Sequence, residues 1–524
     1  MKRAFVVVFS ILGLLSCATG PSKPQDLVDR AVDAMGGADK LAGIKTVWAK
    51  GSTKQWEPEQ SEVPGGEMRF ANEASYQVWQ DRSQRAARYD WEKNFAYPAA
   101  RTYKFSEILT PEAGYVLGVD TTARNAQNMQ HNAHSMSSLR LATAQREAKR
   151  GAVTGLMLEM KNNPERVSAA PDIVVDGRAY PAASYQGFIV AFDAQTGLPA
   201  RVRTLDYDNV WGDVNYDTVY SDWRDSSGIK IPMHRKTELN GRVIAETTLN
   251  EIRINPAMQA SYFEVPAAIR AGAAKPATGN VPYQWVIRRQ YIGTYLDSES
   301  IMYDARAASG LRLQELAPGV QHVVGGTHNA LLVEMSDHLI VFDAPVTDLQ
   351  SKWIIDAAKA KYPGKPIRYL VLTHHHMDHS GGVRAYIAEG AALVVGQGAG
   401  EHFRKVLAAP YTRNPDIAAR ELSSANIIEV TDKKLFSDGK REVSAHLTDN
   451  PHSKAYLIGY VPDAKLGYVT DLWSPGRDAL PGKITNPLMA LVHTVRKAGI
   501  QPARFAGGHG LTGDYAPLQK LASE

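Results

Sequence analysis

The run Thr373-His374-His375-His376-Met377-Asp378-His379 sets four imidazoles and one carboxylate within six consecutive positions. Imidazole is the commonest protein ligand for zinc, and a carboxylate suits a second, harder cation. The run follows a short apolar stretch, residues 368–372, that reads as a strand. That many polar groups at the edge of a core cost folding energy unless something binds them. A surface tag of histidines is the alternative, and the residues downstream argue against it. Asn450-Pro451-His452-Ser453 precedes a strand-like segment, residues 455–461. Gly467-Tyr468-Val469-Thr470-Asp471 is a strand ending in an acid, and Gly507-Gly508-His509-Gly510 is a glycine-flanked histidine after an apolar stretch. Each alone reads as a cap or turn residue. Taken together they suffice for two cations: three histidines hold one zinc and leave a fourth position open, while Asp378, His379 and His509 hold another.

These residues need a scaffold that brings strand ends together. Residues 320–324 and 330–334 read as strands around a Gly-Gly-Thr-His loop, residues 338–343 as a third, and residues 350–361 as a helix. Another helix, 382–389, and another strand, 391–395, follow the histidine run. Alternating strands and helices predict an α/β layer architecture with the chemistry at strand ends. Upstream the pattern differs. Residues 25–35 carry apolar side chains at helical spacing and stop at Gly36-Gly37. From residue 44 to 263 the pattern is of strands, with residues 185–192 as one extended run and turns at 193–199, 225–228 and Asn240-Gly241. This predicts a mainly antiparallel β domain. Its runs FDAQTGLPARV and INPAMQASYFEVP faintly resemble the half-barrel of periplasmic lipoprotein carriers. The Ala-, Gly- and Pro-rich stretch that follows reads as a linker. The expected division is therefore a signal segment at 1–16, a β-rich domain at 24–266, a linker at 267–284 and an α/β domain carrying the candidate metal ligands at 285–524.

The segment from Gly319 to Gly510 resembles the metallo-β-lactamase superfamily, with all five motifs in order. Asp343, in IVFDAP, matches the first; His374, His376, Asp378 and His379 match the second; His452, Asp471 and His509 match the third, fourth and fifth. The resemblance implies an αββα sandwich with one metal on His374, His376 and His452. It implies a second on Asp378, His379 and His509, Asp471 bridging both, and Asp343 as structural support. Zinc-dependent β-lactamases of the family commonly carry Cys or Ser where this chain has Asp471. That departure resembles the lactonase, glyoxalase II, phosphodiesterase and sulfatase branches.

The implied cofactors are two divalent metal ions, zinc by preference, that share a hydroxide at neutral pH. The expected reaction is attack of that hydroxide on an ester, lactone or amide-type bond of a small-molecule substrate. A phosphodiesterase, a sulfatase or a β-lactamase on the same core is the alternative, as is an envelope lipoprotein that captures a ligand. Asp378 is the expected catalytic residue, orienting the nucleophile and carrying a proton to the leaving group. His328, in the loop flanking the site, is a possible substrate contact. His375 is expected to point away from the metals, and His402, His446, His493, Trp473 and the aromatics Trp48, Trp56, Trp79 and Trp91 to pack. His131 and His134 show no partner pattern.

The chain's address is read from its start. Lys2 and Arg3 precede an apolar run too short to span a bilayer, and Leu14-Leu15-Ser16-Cys17 resembles a bacterial lipobox. Cys17 is the only cysteine, so no intramolecular disulfide forms. The expectation is an exported protein acylated on Cys17 and anchored in the envelope, at the outer membrane facing the periplasm. The formal charge of only +4 over 524 residues gives no support to nucleic-acid binding, which usually shows as clustered basic charge, so no nucleic-acid partner is expected.

Overall fold

The computed structural model describes residues 23–120, 133–292, 297, 310–326, 328–416, 418, 422–477 and 479–524. The lipobox with Cys17, the signal segment and His131 lie outside them. Among the described residues no helix is long and apolar enough to cross a membrane.

Among the described residues, thirteen antiparallel strands form one sheet in the N-terminal part. It is built from two meanders. The first runs from Thr46–Glu57 through Arg69–Asp81, Ala86–Phe95, Arg101–Leu109 and Gly114–Gly118 to Ala133–Ser135. The second runs from Ser168–Val175 to Arg242–Ile254, whose pairing with Thr46–Glu57 joins the two. Two-residue turns with both φ angles positive match the right-handed twist of paired strands. Asn240 and Gly241, at +49° and +81°, supply such a turn.

Two features depart from the sequence reading. Residues 185–192 are not one extended run. Gln186 and Gly187, at φ +48° and +84°, turn the chain so that Tyr185 pairs with Phe188. Nor is the stretch 44–263 all strand: helices Ser138–Gly151 and Val153–Asn162 connect the meanders. Ser137 caps the first, its hydroxyl accepting from the Arg140 amide at 3.2 Å. Leu156, Met157 and Met160 of the second are buried with Val28 and Val32 of helix Pro24–Ala34. Their i, i+1, i+4 spacing is helical, but strands on both sides mask it.

Beyond the short helix Ala267–Ala271, helix Tyr283–Ile292 packs against helix Ser138–Gly151 and the strands Thr46–Glu57, Arg69–Asp81 and Pro199–Asp208. The rest is an αββα sandwich. Among the described residues one sheet has seven strands, ordered Arg312–Ala317, Val320–Val324, Ala330–Glu334, Leu339–Phe342, Ile367–Val371, Ala392–Gly396 and Ile427–Val430. The other has six among the same residues, from Lys433–Ser437 to Thr512–Asp514. Strands buried on both faces send alternate side chains to different cores. Ile340, Phe342 and Val394 meet Leu457 and Tyr468 between the sheets. Leu339, Val341, Leu393 and Val395 pack under helices Asp348–Lys361, Val383–Ala388 and Gly400–Ala408. Helix Asn486–Ala498 covers the other sheet through Leu491 and Val492.

Candidate metal centre

Parallel pairing aligns the carboxyl ends of neighbouring strands, and the candidate ligands follow those ends. Phe342 pairs with Val371, so Asp343 lies beside the start of the histidine run. Val469 pairs with Gly507, which sets Asp471 near His509. Asp343 and Asp471 both adopt the left-handed region, at φ +66° and +45°. Strain of this kind persists where surrounding contacts fix it. For Asp343 those contacts are visible. Its carboxylate accepts from the Thr373 amide at 2.7 Å, the Thr373 hydroxyl at 3.0 Å and the Tyr468 hydroxyl at 3.3 Å. It also meets His379 Nδ1 at 3.1 Å, which leaves His379 Nε2 facing the site.

The ligand atoms fall into two groups, His374–His376–His452 and Asp378–His379–Asp471–His509. In the first, His452 Nε2 lies 3.2 Å from His374 Nε2 and 3.1 Å from His376 Nδ1. In the second, His379 Nε2 lies 3.1 Å from His509 Nε2, and Asp378 Oδ2 lies 3.8 Å from each of these nitrogens. Asp471 stands between the groups: Oδ2 is 2.9 Å from His379, 3.4 Å from His374 and 3.6 Å from His452, and Oδ1 is 3.0 Å from His509.

The arrangement fits a pair of divalent cations. Nitrogens bound tetrahedrally to zinc at about 2.0–2.1 Å are separated by about 3.3 Å, close to the spacing of the three histidines. His376 gives its other nitrogen to the Ser61 carbonyl at 2.9 Å, so Nδ1 carries a lone pair toward its neighbours. Burial, reinforced by neighbouring imidazoles, keeps His374 far below the ordinary imidazole range and His376 at about 3. Three lone pairs converging in a buried place repel unless a cation lies between them. Asp471 Oδ2 is buried, 2.9 Å from His379 Nε2 and within 3.6 Å of His374 and His452, so it lies at the junction of both histidine groups. Burial opposes the charge of Asp378 and Asp471, yet the surrounding histidines hold both carboxyls well below their usual range.

The structure thus brings together all seven candidate ligands. His328 is buried, with Nε2 3.3 Å from Asp378 Oδ2 and its ring against His509 at 4.6 Å, so it abuts a candidate ligand. His375 turns away from both groups, toward the hydroxyls of Ser61 at 3.0 Å and Ser453 at 3.3 Å. His402 packs edge-on against Trp211 and His446 contacts Ser444, while His493 is exposed. Trp473 is buried against Phe505. Trp48 packs on Trp79, Trp56 on Phe70 and Trp91 on Tyr76. His134 does have neighbours, Asp120 at 3.7 Å and Asp297 at 3.8 Å.

Sequence reasoning missed the N-terminal side of the site. Gln60 Nε2 donates to Asp378 Oδ1 at 2.9 Å, and the Tyr97 hydroxyl donates to Gln60 Oε1 at 2.5 Å. Arg69 donates to the His452 carbonyl at 2.8 Å and stacks on Tyr97 at 4.6 Å. Behind them Glu57, Glu59 and Asp208 are buried with Arg288. The one local signal was the polar run Glu57 to Glu62, which reads as an exposed turn.

Residues 323–514 match a family model described as the Metallo-beta-lactamase superfamily. No curated protein matches the chain. Among solved structures it is similar to a metallo-beta-lactamase from Pontibacter korlensis, with 17% identity over 41% of this chain and 97% of that one, TM-score 0.31. It is also similar to the stereoselective inverting sec-alkylsulfatase Pisa1 from Pseudomonas sp., with 18% identity over 42% of this chain and 41% of that one, TM-score 0.31. A third is the flavodiiron protein from Giardia intestinalis, with 17% identity over 41% of this chain and 58% of that one, TM-score 0.30. The matches span less than two thirds of the latter two.

Proposed function

Residues 323–514 belong to the metallo-β-lactamase superfamily, and from that premise we propose that the chain is a dinuclear-metal-dependent hydrolase of ester, lactone or amide-type bonds. The observation that supports it most directly is the pair of ligand groups sharing Asp471. Two bound divalent ions would supply Lewis acidity and make water nucleophilic near neutral pH. His374, His376 and His452 would hold one; Asp378, His379 and His509 the other, with Asp471 between them. The presence of Asp471 rather than Cys or Ser favours the general hydrolases over the β-lactamases.

The protein's own groups do the remaining work. Asp378 has one oxygen, Oδ2, turned toward His379 and His509. There it orients the attacking water and carries its proton to the leaving group. His328, held at about 4 chiefly by burial, stays neutral and steadies that oxygen. Asp343 fixes the ring plane of His379 without facing the substrate. Burial of the histidine run keeps bulk water from competing for these contacts.

We further propose that the protein is exported and lipid-anchored through Cys17, on the strength of the sequence Leu14-Leu15-Ser16-Cys17. The substrate is then a small molecule of the envelope.

A second reading adds to this one. Between the large sheet and helices Ser138–Gly151 and Tyr283–Ile292 lies a cavity of about 260 Å³. Val47, Ala49, Tyr76, Val78, Leu249 and Ile252 are among its walls. Glu107, Glu147, Arg150 and Arg235 line it too, so the cavity suits a ligand with an apolar body and a polar end, held by the N-terminal domain.

The deciding experiment is metal analysis of the purified protein followed by assay on lactone, thioester, phosphodiester, sulfate ester and β-lactam substrates. Two equivalents of metal and turnover of the lactone or thioester are expected. Preference for β-lactams, phosphodiesters or sulfate esters would overturn the choice of bond. Absence of metal and of turnover would leave the ligand-holding reading in its place.

A further inference from the structure

Five consecutive residues, Glu57 to Ser61, are buried where the first strand of the large sheet ends. Four of them are polar, and polar side chains rarely enter a core unless each finds a partner. Two face the metal ligands directly. Gln60 gives its amide to Asp378 Oδ1, while Asp378 Oδ2 is the oxygen that faces His379 and His509. A glutamine amide can be turned either way round, and here the Asp378 carboxylate, which only accepts, demands the Nε2 end, leaving Oε1 to accept from the Tyr97 hydroxyl. The carbonyl of Ser61 receives His376 Nε2, fixing the tautomer that turns Nδ1 inward. Arg69, a few residues on, holds the backbone carbonyl of His452.

The remaining ligands are steadied differently. His379 rests on Asp343, and His374 Nδ1 on the hydroxyls of Thr373 at 3.2 Å and Thr470 at 3.5 Å, all within the C-terminal sandwich. The outer contacts of the metal centre are thus divided between the two halves of the chain. His376, Asp378 and His452 lean on the N-terminal half.

We propose that the N-terminal domain completes the metal centre, with Gln60 and Tyr97 as positioning residues that aim Asp378 at its ion and the Ser61 carbonyl doing the same for His376. This rests on the two-metal reading above. It goes further in making ion binding by the C-terminal sandwich depend on a strand end more than 300 positions away in sequence, Gln60 and Asp378 being 318 residues apart. Outer partners of this type change metal affinity by about 10–100-fold when removed. Because Gln60 touches Asp378 alone among the ligands, its loss falls on one ion of the pair. The three-histidine position keeps its own contacts.

The test is titration of the metal-free, full-length protein with Zn²⁺ against a chromophoric chelator, for wild type, Gln60→Ala and Tyr97→Phe. Melting of each metal-free protein is recorded alongside. Two ions are expected in wild type. Gln60→Ala should bind one ion as wild type does and the other about 10–100-fold more weakly. Tyr97→Phe should weaken the same ion by a smaller factor, and the metal-free melting midpoints should agree within a few degrees. Two ions bound with wild-type affinity in both variants would overturn the inference while leaving the metal reading intact. Loss of both ions together with a lowered metal-free midpoint would show Gln60 to be a packing residue and overturn it as well. A wild-type protein that binds no Zn²⁺ would remove the metal reading itself and the inference with it.

Discussion

Asp378 differs from the other candidate ligands in having both oxygens engaged: Oδ1 by Gln60, and Oδ2 by His328 on the side of His379 and His509. The acid is therefore fixed in orientation before any substrate arrives. Asp378→Ala should lower turnover by at least about 10²-fold and weaken one ion, with the melting midpoint of the metal-free protein little changed. Full turnover with full metal content would reject its role. Two buried histidines outside the ligand set carry a different consequence. Burial holds both His322 and His402 at about 4, against 6.5 for the ordinary side chain. Below 6.5 the unfolded chain takes up protons that the folded one refuses, so stability falls until the pH reaches about 4 and then levels. Each contributes up to about 3 kcal/mol of that loss. The metal-free melting midpoint should drop steadily from pH 6.5 to 4, and His322→Gln, which keeps a donor for the Gly507 carbonyl, should flatten the slope.

At the scale of elements, the site depends on how closely two strand ends approach. Gly508 donates its amide to the Val469 carbonyl at 2.9 Å and accepts from the Asn329 amide at 2.8 Å. A methyl group there would lie 2.2 Å from Thr470 Cγ2 and 3.2 Å from His379 Cε1. Thr470 immediately precedes Asp471, so it cannot yield without moving the residue between the two ligand groups. Gly508→Ala should cost roughly 1–3 kcal/mol from overpacking and weaken metal binding, both readable from melts with and without Zn²⁺. Unchanged affinity would show that the strand ends adjust independently of Asp471. The same scale shows where periodicity was a sound guide. Strands such as Leu339–Phe342 were visible as continuous apolar runs because both of their faces are buried. Tyr185–Phe192 misled because its turn is made by Gln186-Gly187, a pair lacking the Asn or Asp that usually signals such a hairpin.

At the scale of the whole molecule, helix Tyr283–Ile292 joins the halves, sending Trp285 and Val286 into the core of the sandwich and Arg288 into a buried charged group beside the large sheet. Glu57, Glu59 and Asp208 surround Arg288, whose helix Tyr283–Ile292 connects the large sheet to the sandwich. Burial pushes Glu57 up to about 8 and Asp208 to about 6, so the group tolerates only part of its possible negative charge. Removing one partner from a buried ion group leaves the others uncompensated. Arg288→Met should destabilise the protein by about 3–5 kcal/mol in urea unfolding. The raised Glu57 makes the loss grow as the pH rises through 8, where its carboxyl would have to ionise. A loss that does not change with pH would show that Glu57 is not part of the group.

The ligands were legible because metal binding demands particular atoms. Four imidazoles and an acid in six positions, followed by His452, Asp471 and His509 beside turns and strand ends, have few other uses. The sandwich was legible for a related reason, since strands buried on both faces must be apolar throughout. The sequence marked Asp343 and His328 beside the metal centre but was silent on the N-terminal residues that complete its surroundings. Gln60, Ser61 and Arg69 are ordinary polar residues, the first two within a polar run that reads as an exposed turn, and nothing local ties them to the ligands, because their partners there lie hundreds of positions away; Tyr97 reaches Asp378 only through Gln60. A hydrogen bond between a glutamine and a distant aspartate needs only a donor and an acceptor, which every surface offers. Their pairing is decided by where two independently built sheets come to rest, and that is a property of the packed molecule alone.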